Sequence, residues 1–119
     1  MSQPAPPQFQ PRQILCLEHE QSKLYAEVIQ VVPDRPVCWL RPMILEVEMS
    51  QLKTYDLRLS SDLLLPPSLF RPALDTEVIP LLGQINSAEF NLEEAQNAHH
   101  LLRDFIRKIW QQYREVFPS

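Results

Sequence analysis

Nucleophilic chemistry needs a thiol or hydroxyl beside an imidazole that a carboxylate orients, and the groups on offer are Cys16 and Cys38 with His19, His99 and His100. Each cysteine lies in an apolar, strand-like run without C-x-x-C spacing, which reads as a buried free thiol rather than a zinc ligand or redox pair. His19 falls between Glu18 and Glu20 in a polar stretch, the setting of a solvated turn residue. His99 and His100 are neighbours in a helical pattern, so they point about 100° apart and lack the i, i+4 geometry that chelates one ion. His99 stands at the margin of an apolar sector, as a packed or half-buried imidazole, and His100 faces solvent. Glu46 and Glu48 share a strand face at a spacing that acid–base work would accept. The same pair is what a charged edge strand uses against unwanted pairing, and that is the reading preferred here. Asp56, Asp62, Asp75 and Glu77 stand near turns, where capping or loop hydrogen bonding is the ordinary use. With Gly83 as the sole glycine, phosphate-cradling loops are excluded. No catalytic residue, metal ligand or cofactor is expected.

Arginines and tryptophans carry more. On a helix Arg103, Arg107 and Arg114 project within about 40° of one another, beside Trp110 and His99. Such a stripe suits phosphate or an acidic protein surface, while its ordinary use is a solvated amphipathic rim. Asp104 and Lys108 form an i, i+4 pair, and Glu93, Asp104 and Glu115 occupy the next strip, so the field is quickly neutralised. Arg41, Arg58 and Arg71 border apolar segments, and Arg41 and Arg71 precede proline, which extends the backbone there. Trp39 and Trp110 are the largest burial contributors and are expected in the core, in mutual contact; either one, if exposed, becomes an interface hot spot. The partner-binding set is therefore Arg41, Arg58, Arg71, Arg103, Arg107, Trp110 and Arg114.

The elements that must position these groups follow from pattern. Residues 1–11 hold four prolines, no charge and Phe9 as sole aromatic, and read as a disordered Pro/Gln-rich tail. Residues 12–119 form one α+β domain, with strands over about 13–65, a wrapped segment over 66–90 and a helix over about 91–117. Apolar runs at 13–17 and 24–32 make a hairpin with a longer polar loop. The second run is apolar on both faces, so it is covered on both sides or curled into a barrel. A turn at 33–36 leads to a third strand, 37–47, in which Pro42 marks an edge, a bend or a bulge, a break that suggests a strand changing partners. A fourth strand spans 52–59. Leu63-Leu64-Leu65 is a short buried run stopped by Pro66-Pro67. Pro72 and Pro80 restrict the next segment to short helical turns or a brief strand. Asn91 and Glu94 then form a capping-box pair, with Phe90 as half of a hydrophobic staple. Beyond them Leu92, Ala95, Ala98, His99, Leu102, Phe105, Ile106, Ile109, Trp110, Tyr113, Val116 and Phe117 fall in one sector of about 140°, leaving Leu101 outside. The expected architecture is a small bent antiparallel sheet, or partial barrel, of four or five strands covered by one long C-terminal helix.

With 119 residues, 45% apolar and 22% charged, the chain supports one core. Its net charge of −4 repels nucleic acid and anionic membranes. No apolar run reaches membrane-spanning length, and a cytoplasmic location is expected.

The segments Leu24-Tyr25-Ala26-Glu27-Val28-Ile29-Gln30, Cys38-Trp39-Leu40-Arg41-Pro42, Tyr55-Asp56-Leu57-Arg58, Asp62-Leu63-Leu64-Leu65-Pro66 and Leu69-Phe70-Arg71-Pro72-Ala73-Leu74-Asp75-Thr76-Glu77 resemble a family of small uncharacterised cyanobacterial proteins. The resemblance spans about residues 14–117. It implies a bacterial cytosolic protein connected with photosynthetic complexes, and brings no catalytic residue or cofactor. Together these readings favour a non-enzymatic adaptor, assembly or regulatory factor whose partner is another protein, of a different kind or a second copy. A small nucleic-acid-binding barrel using the arginine stripe is the alternative, and an enzyme of unknown class the third.

Overall fold

The computed structural model describes residues 9–32, 34–87 and 91–117. It is an α+β fold: an open antiparallel sheet of six strands with a helix on each face. The strands are β1 (Ile14–His19), β2 (Ser22–Val31), β3 (Cys38–Glu48), β4 (Leu52–Asp56), β5 (Leu63–Leu65) and β6 (Arg71–Pro72); the helices are α1 (Asp75–Ser87) and α2 (Leu92–Gln112). The order is β4-β3-β2-β1-β6, with β5 also on β3.

Proline and chain length set this topology. Tyr25 pairs with Ile44 and Ala26 with Pro42, so Met43 is the extra residue of a bulge. On its other side β3 pairs through residues 44–48 with β4 and through residues 38–40 with β5, changing partners around Pro42 as expected of a residue that cannot donate to a ladder. The Met43 carbonyl accepts from Leu57 N–H at 2.8 Å, which turns the chain out of β4. From β5 the segment 66–70, including a 3₁₀ turn at Pro67–Leu69, crosses to the opposite edge, where β6 pairs with β1. Leu65 to Arg71 is six steps of chain, shortened by the 3₁₀ turn to less than the roughly 19 Å that four strand spacings span in a flat sheet, so the sheet must curl to bring its edges that close.

The side chains of β2 point into two cores. Leu24, Ala26 and Val28 face α2, in a cluster with Leu15, Leu40, Leu45, Leu57, Leu102, Phe105 and Ile109. Tyr25 faces α1, in a second cluster with Cys16, Ile44, Val78, Leu81 and Ile85. That β2 is apolar on both faces is explained by a helix on each.

Several expectations are corrected. The sheet has six strands rather than four or five, because β5 and β6 add three-residue and two-residue ladders too short to leave a pattern. β4 stops at Asp56; Leu57 is buried just beyond it, whereas Leu59 is exposed. The β1–β2 connection is a two-residue turn, not a longer loop: Glu20 takes φ 55°, a left-handed conformation with no glycine to announce it. The segment around Pro80 is a 13-residue helix rather than short turns. Pro80 sits on the exposed side of α1, so the hydrogen bond it deletes is replaced by water while Val78, Leu81 and Ile85 keep the buried stripe. The helix expected to run to residue 117 ends at Gln112, and a separate 3₁₀ turn covers Arg114–Val116. Finally, Phe9 packs against the α2-side core and Gln10 N–H bonds the Gln13 side chain at 3.0 Å, so residues 9–11 are part of the fold. Residues 1–8, and the staple residue Phe90, lie outside the described residues.

Candidate docking surface

Asn91 starts α2 as expected: its side chain accepts from Glu94 N–H at 3.2 Å. The face that α2 buries is not quite the face its composition favours. Ala98, Leu102, Phe105 and Ile109 are buried, and Leu101 packs against the same core. These residues centre about 40° round the helix from the middle of the apolar sector, toward Leu101. The opposite margin of that sector is thereby lifted off the sheet. His99 and Trp110 are exposed, Ile106 is half-buried, and with Arg103, Arg107 and Phe117 they line a groove of about 630 Å³ whose other wall is Ser61 and the β5 leucines.

Both tryptophans lie at the surface rather than in the core, with Trp39 39% and Trp110 44% exposed. The indole of Trp110 meets Phe117 edge-on at 5.0 Å between ring centres, and the Arg114 guanidinium lies 5.5 Å over it. The 3₁₀ turn that ends the helix brings both groups back onto Trp110. Trp39 is the register partner of Leu64, itself 63% exposed. Leu64 was expected to be buried; as the middle residue of β5 it points away from the core that Leu63 and Leu65 join.

Arg41, Arg58 and Arg71, three of the arginines expected at the surface, are bound within the molecule. Arg41 Nε meets Asp62 at 3.3 Å, and Trp39 Nε1 donates to the same carboxylate at 2.9 Å, which ties the approach to β5 onto β3. Arg58 holds Asp56 through Nε and a terminal nitrogen at 2.7–3.1 Å. It also donates to the Ile85 carbonyl and Asn86 at 3.0 Å, a cation at the C-terminal end of α1. Burial alone would raise the Asp56 carboxyl, but the Arg58 side chain and backbone N–H outweigh it and hold it below its ordinary value.

Arg71 bridges Glu18 at 2.6 Å and Glu77 at 2.8 and 2.9 Å. Glu77 also accepts from Tyr25 Oη at 3.1 Å and from Leu74 N–H at 3.0 Å. The Arg71 bonds, helped by the other two, lower the Glu77 carboxyl to about 2. This network joins β1, β2, β6 and α1; the reading of Glu77 as a capping residue finds only part of it.

Among the arginines of α2 the situation differs. Arg103 has no ion-pair partner among the described residues, and Arg107 approaches Asp104 only at 3.8 Å with both side chains exposed. The surface thus unites Arg103, Arg107, Arg114 and Trp110, while Arg41, Arg58 and Arg71 serve the fold. Leu64, Ile106 and Phe117 complete it; Ile106 and Phe117 belong to the apolar sector, pack against the core as it predicts, and turn their remaining surface to the groove.

The thiols and imidazoles are dispersed. Cys16 belongs to the α1-side core and Cys38 to the α2-side core, on opposite faces of the sheet. Burial pushes the Cys16 thiol up to about 11 and raises Cys38 as well, so both stay protonated at neutral pH. His19 is not a solvated turn residue: its side chain is 12% exposed and packs edge-on against Phe105 and Tyr113. His99, expected to be packed, is exposed, and His100 is exposed as expected. The described residues include no cluster of three metal-ligating side chains and no helix long and apolar enough to cross a membrane.

No protein-family model matches the chain, and no curated protein or solved structure is similar to it.

Proposed function

We propose that this chain is a non-enzymatic protein-binding module, an adaptor, assembly or regulatory factor, that docks its partner through the groove between α2 and β5. The observation that supports it is the roll of α2, which keeps Trp110 out of the core and leaves it, with the half-buried Ile106, beside two weakly engaged arginines and an exposed leucine. Exposed tryptophan flanked by arginine is the residue combination that dominates protein interfaces. A module of this kind carries no catalytic apparatus and works by holding one protein against another. The resemblance to cyanobacterial proteins adds photosynthetic complexes as the place to seek the partner, by association.

Affinity capture from the native cell tests this. The double variant Arg103→Glu with Arg107→Glu should lose the partner that the unaltered chain retains, with circular dichroism and melting temperature unchanged. Retained capture would count against the reading. A steep fall of log affinity with log salt would redirect it to nucleic acid.

A further inference from the structure

We infer that the occupant of this groove is an extended, acidic and apolar segment of another protein, which pairs with β5 as a seventh strand and sets a carboxylate between Arg103 and Arg107. This rests on the docking reading above and adds the mode and chemistry of the partner. The first support is the course of the groove. It touches Leu63, Leu64 and Leu65, successive residues whose side chains alternate between faces, so it runs along the edge of the strand rather than over one face. The second is the edge itself. β5 has β3 on one side and, among the described residues, no strand on the other. An open edge offers backbone donors and acceptors to an added strand. A helix laid in the groove would leave those groups unpaired.

The third support is charge. In a chain of net charge −4, the charged residues lining the groove are Arg103 and Arg107, with no carboxylate among the lining. Residues four apart on a helix stand about 5–6 Å from each other, close enough for one carboxylate to accept from both guanidiniums. A second copy of the chain pairing edge to edge would bring its own Arg103 and Arg107 to the same place, so like charges disfavour it.

Spacing specifies the segment further. The midpoint of the two arginines lies about 7–8 Å from Trp110 along α2, at 1.5 Å per residue. Alternate residues of a strand are about 6.8 Å apart and share a face. A partner running along the groove therefore places an acidic side chain on the arginines and an aromatic or branched one on Trp110 and Phe117, two positions apart.

The experiment selects linear 12-residue peptides from a random display library on the full chain, then titrates the best synthetic peptide into isotope-labelled protein. The expected peptides carry Asp or Glu two positions from an apolar residue, and they shift the amides of Leu63, Leu64 and Leu65 and the Trp110 indole resonance. Their affinity should fall at least about tenfold with Arg103→Gln plus Arg107→Gln, and equally when alternate peptide amides are N-methylated. Peptides that shift Trp110 but are helical, basic or indifferent to N-methylation would overturn the strand inference and leave the docking reading standing. If no selected peptide moves Trp110, or poly(U) moves it instead, both fall.

Discussion

Glu77 shows how a single side chain fixes a helix to the sheet. It accepts from Arg71, Leu74 N–H and Tyr25 Oη, and its carboxyl titrates near 2 instead of the ordinary 4.5. A folded value below the unfolded one means that the stabilisation is complete above about pH 5 and drains away as pH falls toward 2. The difference sets an upper bound of about 3 kcal/mol, and about 1–2 kcal/mol after allowance for solvent around the exposed Arg71. Glu77→Gln should therefore cost about 1–2 kcal/mol at pH 7 and nearly nothing at pH 2, as urea unfolding at a series of pH values would show. A variant whose loss is the same at both pH values would contradict the assignment. Arg71 and Glu77 also mark a limit of sequence reading. Both residues were visible, one as a surface arginine and one near a turn, but the joining of Arg71 to Glu18 depends on β6 lying beside β1, which two residues of strand do not advertise.

At the scale of the element, α2 divides its large side chains into two classes that the apolar pattern alone places together. Phe105 is 5% exposed and sits in the core beside His19, whereas Trp110 is 44% exposed and contacts Phe117 and Arg114. Phe105→Ala should lower stability by about 3–5 kcal/mol, the range for a buried aromatic. Trp110→Ala should cost about 1 kcal/mol or less in denaturant unfolding, the range for a surface position. Equal losses would mean that the roll of α2 is wrong. The start of the helix, its cap at Asn91 and most of its buried residues were legible, because periodicity and capping are local. Its rotation about its own axis was not, since the apolar sector is wider than the face the sheet covers, and both Leu101 and Ile106 reach the core at its margins. The same holds for α1, where Pro80 argued for interruption until its solvent-facing position made the missing bond inexpensive.

For the whole molecule, the two helices and the curled sheet bury an apolar core on each face and leave an apolar groove beside the edge of β5. The fold class, the antiparallel pairing and the partner exchange at Pro42 were all readable, since short connections permit no crossover and proline permits no ladder bond. The surface was only half readable. The arginines of α2 belong to it, but the leucine wall comes from β5, whose pairing with residues 38–40 of β3 depends on Asp62 holding Trp39 and Arg41. The central claim is that partners meet the molecule at this wall. Site-specific photocrosslinking tests it most directly, with benzoylphenylalanine placed in turn at position 64 and, as a control, at exposed position 79 on α1. The expected result in native extract is a discrete adduct from position 64, competed away by unlabelled protein, and none from position 79. An adduct from position 79 with none from position 64 would contradict the account.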